Sequence, residues 1–185
     1  MNKKDAVFYE MYPYGYCFKG NLTILIWITN DNERDSFLLD KDKQLVTSSN
    51  IEGFSKILGT DFNNVHWNEG SYIDFDKFLI SLKTLKVDKS SSKSTCIRLL
   101  NGWNFIEDIL HTFNMVDEIK KLKTPTLNKV YEKIFHGNNL KSITPEGKYY
   151  NPLWTRSEIK EVRGTFLEIW NLLLQKGIIK LYELL

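Results

Sequence analysis

Cysteine is scarce here. Cys17 and Cys96 are the only two thiols in 185 residues, far apart and in no paired motif. That excludes a disulfide framework and a cysteine-rich zinc module, and two buried reduced thiols fit the cytoplasm. Histidine is nearly as rare: His66, His111 and His136 are scattered, and none has a second ligand three or four residues on that would suggest zinc, so no zinc motif is written into the chain. No apolar run approaches the ~18–20 residues of a membrane span, and Met1-Asn2-Lys3-Lys4-Asp5 has no apolar segment behind it to serve as a signal peptide. A cytoplasmic protein is expected. An excess of one charge is lacking too. The 25 Lys and Arg against 23 Asp and Glu leave +2, too weak a field to argue by itself for nucleic acid or membrane. A glycine-rich phosphate loop, a Gly-x-Ser-x-Gly elbow and a Ser-x-x-Lys pair are all missing.

What is plentiful is material for a core. Hydrophobic residues make up 42% and aromatics 14%, and a chain of this length is most simply one domain, 1–185, able to bury a full core. Residues 6–29 read as β structure, with Phe8, Tyr9, Tyr12, Tyr14, Tyr16 and Phe18 crowded around a turn at Pro13 and Gly15. Leu22 to Thr29 is apolar on both faces, as a central strand is. Polar turns at 31–35 and 40–43 then predict an antiparallel meander through Ser36–Leu39 and Gln44–Thr47. Ser49-Asn50-Ile51-Glu52 has the form of a capping box opening a short helix that ends at Gly59. Val65-His66-Trp67 is a candidate short strand. Asp74 is a good N-cap for a helix carrying Phe75, Phe78, Leu79, Leu82 and Leu85.

The serine-rich piece Val87 to Thr95 has little to bury and reads as a flexible link near 87–95. Beyond it lie helices. Leu99, Trp103, Ile106, Leu110 and Phe113 advance by four and three, with Asn104, Glu107, Asp108 and His111 on the opposite side. Thr124-Pro125 starts the next helix in the favoured cap-then-proline order, and Gly137 is placed to end it in a left-handed cap. Thr155 and Glu158 form a capping box with Trp154 and Ile159 as the hydrophobic staple, opening a helix that runs to about Lys176. Gly164 inside it implies a close helix contact, and Gly177 ends it. The expectation is an α+β fold, an N-terminal antiparallel sheet packed against a set of C-terminal helices.

The search for chemistry yields little. His111 four residues after Glu107 reads as a surface ion pair, and His136 at a helix C-terminus suits the dipole. Asp74 and Asp76 resemble a metal pair, but the cap and first-turn positions already explain them. No cofactor, no metal site and no catalytic residue is predicted. A small cytosolic hydrolase using Cys96 or a histidine stays open as an alternative, because nucleophile and base meet in space rather than in sequence. So does a nucleic-acid-binding regulator built on Lys120, Lys121 and Lys123. Asp117 and Glu118 dilute that cluster, so nucleic acid is not the expected partner.

The long connection between Gly137 and Thr155 carries Asn138, Asn139, Tyr149 and Tyr150, the mixture of adaptable amides and rigid aromatic area found at interfaces. Gly137-Asn138-Asn139-Leu140, Thr144-Pro145-Glu146-Gly147, Tyr150 and Trp154, preceded by Leu99-Leu100-Asn101-Gly102-Trp103-Asn104, resemble bacterial immunity proteins of contact-dependent growth inhibition and related polymorphic toxin systems. The likeness covers the C-terminal half and consists of packing and turn motifs. It implies a toxin inhibitor, the antidote half of a toxin–antitoxin pair, working by protein–protein interaction. Such a protein occludes one cognate toxin domain, stoichiometrically and without being an enzyme. The expected partner-binding residues are Asp31, Glu33 and Asp35 in an acidic turn that could steer a basic partner, Trp67 and Glu69 beside a second turn, and Asn138, Asn139, Tyr149 and Tyr150.

Overall fold

The computed structural model describes residues 9–29 and 34–179, and shows an α+β architecture with the sheet in the N-terminal half and the helices mostly behind it. The sheet is built on a hairpin of β1 (Glu10–Phe18) and β2 (Asn21–Thr29). Its turn is Lys19-Gly20, both at positive φ, the two-residue geometry that matches strand twist. The turn therefore lies later than expected, and Pro13 and Gly15 are inside β1. Pro13 fits because its partner Ile26 accepts from the Leu38 N–H at 2.8 Å. Ile26 thus spends its backbone groups on the far side, and the missing proline N–H removes no rung of the β1–β2 ladder.

Both β3 (Ser36–Phe37) and β4 (Thr47–Ser48) pair with β2 along its other edge. The predicted meander is thus a loop folded along one strand, closed by a Leu39–Leu45 bridge. Val65 makes only a single bridge to Met11. The strand there is β5 (Ser71–Asp74), which pairs with β1 in parallel from Tyr14 to Cys17. The sheet is antiparallel except at this edge.

Residues alternate across the hairpin. Tyr14, Tyr16 and Phe18 face the helices: Tyr14 stacks on Phe105 at 5.6 Å, and Phe18 meets Trp170 edge-on at 5.0 Å. Met11, Ile24 and Ile26 face the other way, onto a small cluster with Val46, Phe54 and Val65. That cluster is covered by α1 (Ile51–Leu58) and a 3-10 turn over Gly59–Asn64. The α1 cap is Asn50, which accepts from Gly53 N, rather than the Ser49 box.

The main core runs without a break from Tyr16 to Ile179. It is assembled from α2 (Phe75–Thr84), α3 (Lys93–Thr112), α4 (Val116–Leu122), α5 (Pro125–Gly137) and α6 (Arg156–Gln175). Asp74, Thr124 and Thr155 cap α2, α5 and α6 as expected, and Thr155 and Glu158 complete the capping box. Helix α4 was hidden in the sequence behind its basic run. Gly102 lets α3 approach the Phe78 ring, which a Cβ there would overlap.

Three expectations are corrected by the packing. The segment 87–95 is no loose link. Asp88 N donates to Trp154 O, Ser91 N to Pro152 O, and the Trp154 indole N–H to Ser91 Oγ at 2.8 Å. Gly137 is the last residue of α5 rather than a left-handed cap, and the positive φ falls on Asn139. Gly164 meets nothing within 4 Å, so no close helix contact explains it.

Candidate functional site

The long α5–α6 connection is fastened at both ends. Asn139 takes the left-handed conformation at φ 48°, which asparagine tolerates better than most residues. That turn drives its amide inward, where only 4% of the residue is exposed. The amide nitrogen donates to Gly137 O at 2.9 Å and Tyr150 O at 3.0 Å, and the amide oxygen accepts from Tyr150 N at 2.7 Å. One side chain thereby staples the two feet of the loop. Asn139 is thus an anchor, a different place from the exposed contact that was expected. Asn138 is the C-cap of α5 and is half-buried.

What the staple holds out is apolar. Tyr149 is 74% exposed, and Ile143, Tyr150 and Leu153 are exposed as well. Tyr150 sets its ring edge against His136 at 6.2 Å, and His136, Ile143, Pro145 and Tyr149 line a shallow open groove. The downstream foot is fixed again at Glu158. Lys133 Nζ donates to both carboxylate oxygens, at 2.7 and 2.9 Å, and also to Leu153 O, while Thr155 N donates to Glu158 Oε2. Burial pushes the Glu158 carboxyl up. The Lys133 bond and charge and the Thr155 bonds outweigh it, leaving the pKa below its ordinary value.

The remaining predicted contacts are dispersed. Asp31 and Glu33 lie outside the described residues. Trp67 is half-buried, its ring tilted against Phe62 at 4.7 Å with its indole N–H bonded to Phe62 O, so it serves the small cluster. Glu69 is exposed and 3.8 Å from His66. The lysines Lys120, Lys121 and Lys123 each meet a carboxylate, Asp117, Glu168 and Glu107.

Asp35 opens a feature that the sequence did not reveal. Where α3 crosses the sheet, Tyr14, Trp27, Asp35, Asn101, Glu107 and Asp108 are among the lining of a cleft of about 500 Å³. Burial pushes the Asp108 carboxyl up, and the nearby Asp35 charge pushes it further. The Trp27 N–H draws it down and Glu107 raises it again, leaving a pKa of about 7. Burial and the Asp108 charge likewise raise the Tyr14 hydroxyl. The Trp27 ring nitrogen is sealed from solvent and closes no hydrogen bond, so it lies near Asp108 without securing it. The only hint in the sequence was Asp108 on the polar side of α3. Its meeting with Asp35 is set by tertiary structure.

For nucleophilic chemistry Cys96 is poorly placed. Cys96 is buried beneath Gly137, and burial pushes its thiol up to about 11, opposite to what a thiolate nucleophile requires. Beside Glu107, the His111 ring is held below its ordinary pKa by burial and by Arg34, whose guanidinium lies 3.1 Å from Nε2. Among the described residues no three His, Cys, Asp or Glu side chains gather as a metal site would require, and no helix is long and apolar enough to cross a membrane. Comparison of the chain with family models, with curated proteins and with solved structures finds no match in any of the three.

Proposed function

We propose that this chain is an immunity protein, which binds the toxic domain of a cognate bacterial toxin and silences it by occlusion. The observation that carries the reading is the stapled loop. Tyr149, Ile143 and Leu153 are held in solvent by a buried asparagine clasp and a partly buried ion pair. Exposed aromatic and aliphatic groups on a firmly held segment lose little conformational entropy on docking, which is how a modest surface reaches high affinity. The likeness of Gly137–Leu140, Thr144–Gly147, Tyr150 and Trp154 to immunity proteins supports the same reading from the sequence side. The toxin's surface is expected to be apolar where it meets this loop and basic elsewhere, with Asp35 and the adjoining cleft as the acidic counterpart.

The test is co-expression with the C-terminal domain of the protein encoded immediately upstream. Growth arrest by that domain alone, relieved by this chain and not by Tyr149→Ala, is the expected result. Relief that is catalytic, with a small amount of this protein protecting against a large molar excess of the domain, contradicts occlusion.

A further inference from the structure

The cleft over the α3 crossing sits apart from the stapled loop, and its chemistry is different. It is a hollow of about 500 Å³ whose lining includes the aromatic side chains Tyr14 and Trp27 and the amides Asn101 and Asn104. Two of its carboxylates, Asp35 and Asp108, form no ion pair among the described residues, and the Asp35 charge acts on Asp108. The third, Glu107, is taken by Lys123 at 2.5 Å. Arg34, next to Asp35 in sequence, is turned to His111 instead. Among the described residues Trp27 is the one donor acting on the Asp108 carboxyl, and a single N–H cannot occupy every lone pair of a carboxylate, which leaves some for an entering donor.

Two like charges lining one half-buried cleft are unfavourable until a proton or a cation joins them. Near and above neutral pH the proton leaves, and only a cation can take its place. From the paired carboxylates and the aromatic lining of this hollow we infer that the cleft is a receptor for a guanidinium group, carried by an arginine side chain of a bound polypeptide. A planar cation can fork to carboxylate oxygens and lie against an aromatic ring, and both kinds of partner line this cleft. A compact ammonium would use the charge and forgo the fork. The partner reading of the previous section supplies only the source of the arginine. The receptor can be tested without any toxin.

The experiment is titration of the ¹⁵N-labelled full chain with Nα-acetyl-arginine N-methylamide near pH 8, followed by amide and indole shifts. Saturable shifts centred on the Trp27 indole and on the Asn101 and Asn104 side chains are expected. Asp108→Asn and Asp35→Asn should each weaken binding about tenfold, equivalent to about 1.4 kcal/mol, with dispersed spectra showing that both variants fold. Glu132→Gln, remote from the cleft, should bind as the parent does. The lysine analogue should bind more weakly than the arginine derivative. Shifts that do not saturate, or that persist in both aspartate variants, overturn the receptor. Guanidinium chloride binding as tightly as the arginine derivative overturns the polypeptide source and assigns a free small cation.

Discussion

Gly137 lies so close to Cys96 that a Cβ added at the glycine would stand 2.5 Å from the sulfur and 3.0 Å from Pro152 Cδ. The end of α5, the start of α3 and the foot of the stapled loop meet at this point. Gly137→Ala is therefore expected to cost about 1–3 kcal/mol through overpacking. Adding Cys96→Ala should recover part of it, a coupling of about 1 kcal/mol in a double-mutant cycle measured by urea unfolding. Gly164, open to solvent with nothing near it, predicts the opposite sign. Alanine there should stabilise α6 by up to ~1 kcal/mol.

Asn139→Ala removes three hydrogen bonds at once and places alanine at a positive φ. A loss of about 3 kcal/mol is expected, from buried backbone groups left unpaired together with the strained backbone. Hydrogen exchange should rise at Tyr150 and its neighbours before it rises in the sheet. Uniform protection across the loop in this variant would show that the staple is not what holds it.

The Lys133–Glu158 pair gives a pH signature. The folded pKa of Glu158 is depressed, so its contribution is present above the ordinary value of 4.5 and is lost as pH falls through the folded pKa. Lys133→Met should cost about 2–3 kcal/mol at neutral pH, the low side for a buried pair because Lys133 is partly exposed. The gap between parent and variant should close in acid when melting is followed across that range.

Asp108 has the opposite sign. Its folded pKa is raised from 3.8 to about 7, so the parent is favoured below pH 3.8 and loses stability as pH rises through about 7. Asp108→Asn removes that cost. The whole shift converts to about 4 kcal/mol, and solvent screening at a partly exposed carboxyl leaves an expected gain of about 1–2 kcal/mol near pH 8. That is a rise in Tm of several degrees, and it should vanish near pH 3. A variant that gains stability while losing arginine binding separates the receptor from the fold.

Much of the helical frame is legible locally. Asp74, Thr124 and the Thr155–Glu158 box announce their helices through side-chain-to-backbone bonds within four residues, and Leu22–Thr29 announces a central strand by its apolar character on both faces. Some misses are local, such as the Lys19-Gly20 turn and the Asn50 cap, and the larger ones are non-local. Strand β5 is only four residues long and is a strand because β1 lies beside it. The serines of 87–95 look unburdened in sequence and are fixed by Trp154, which is more than sixty residues away along the chain. Gly137 and Gly164 look alike as helix glycines, and only packing tells them apart. In the candidate surface, Tyr149 and Tyr150 are exposed. Asn139 belongs to the scaffold, and the cleft exists only once Asp35 is folded against α3.

Binding calorimetry of the purified chain against the toxin domain tests occlusion most directly. The account predicts a one-to-one complex of nanomolar affinity, with Tyr149→Ala weakening it at least about tenfold and toxin activity falling linearly to zero at equivalence. Loss of toxin activity at a small fraction of equivalence, or a complex indifferent to Tyr149→Ala, would contradict it.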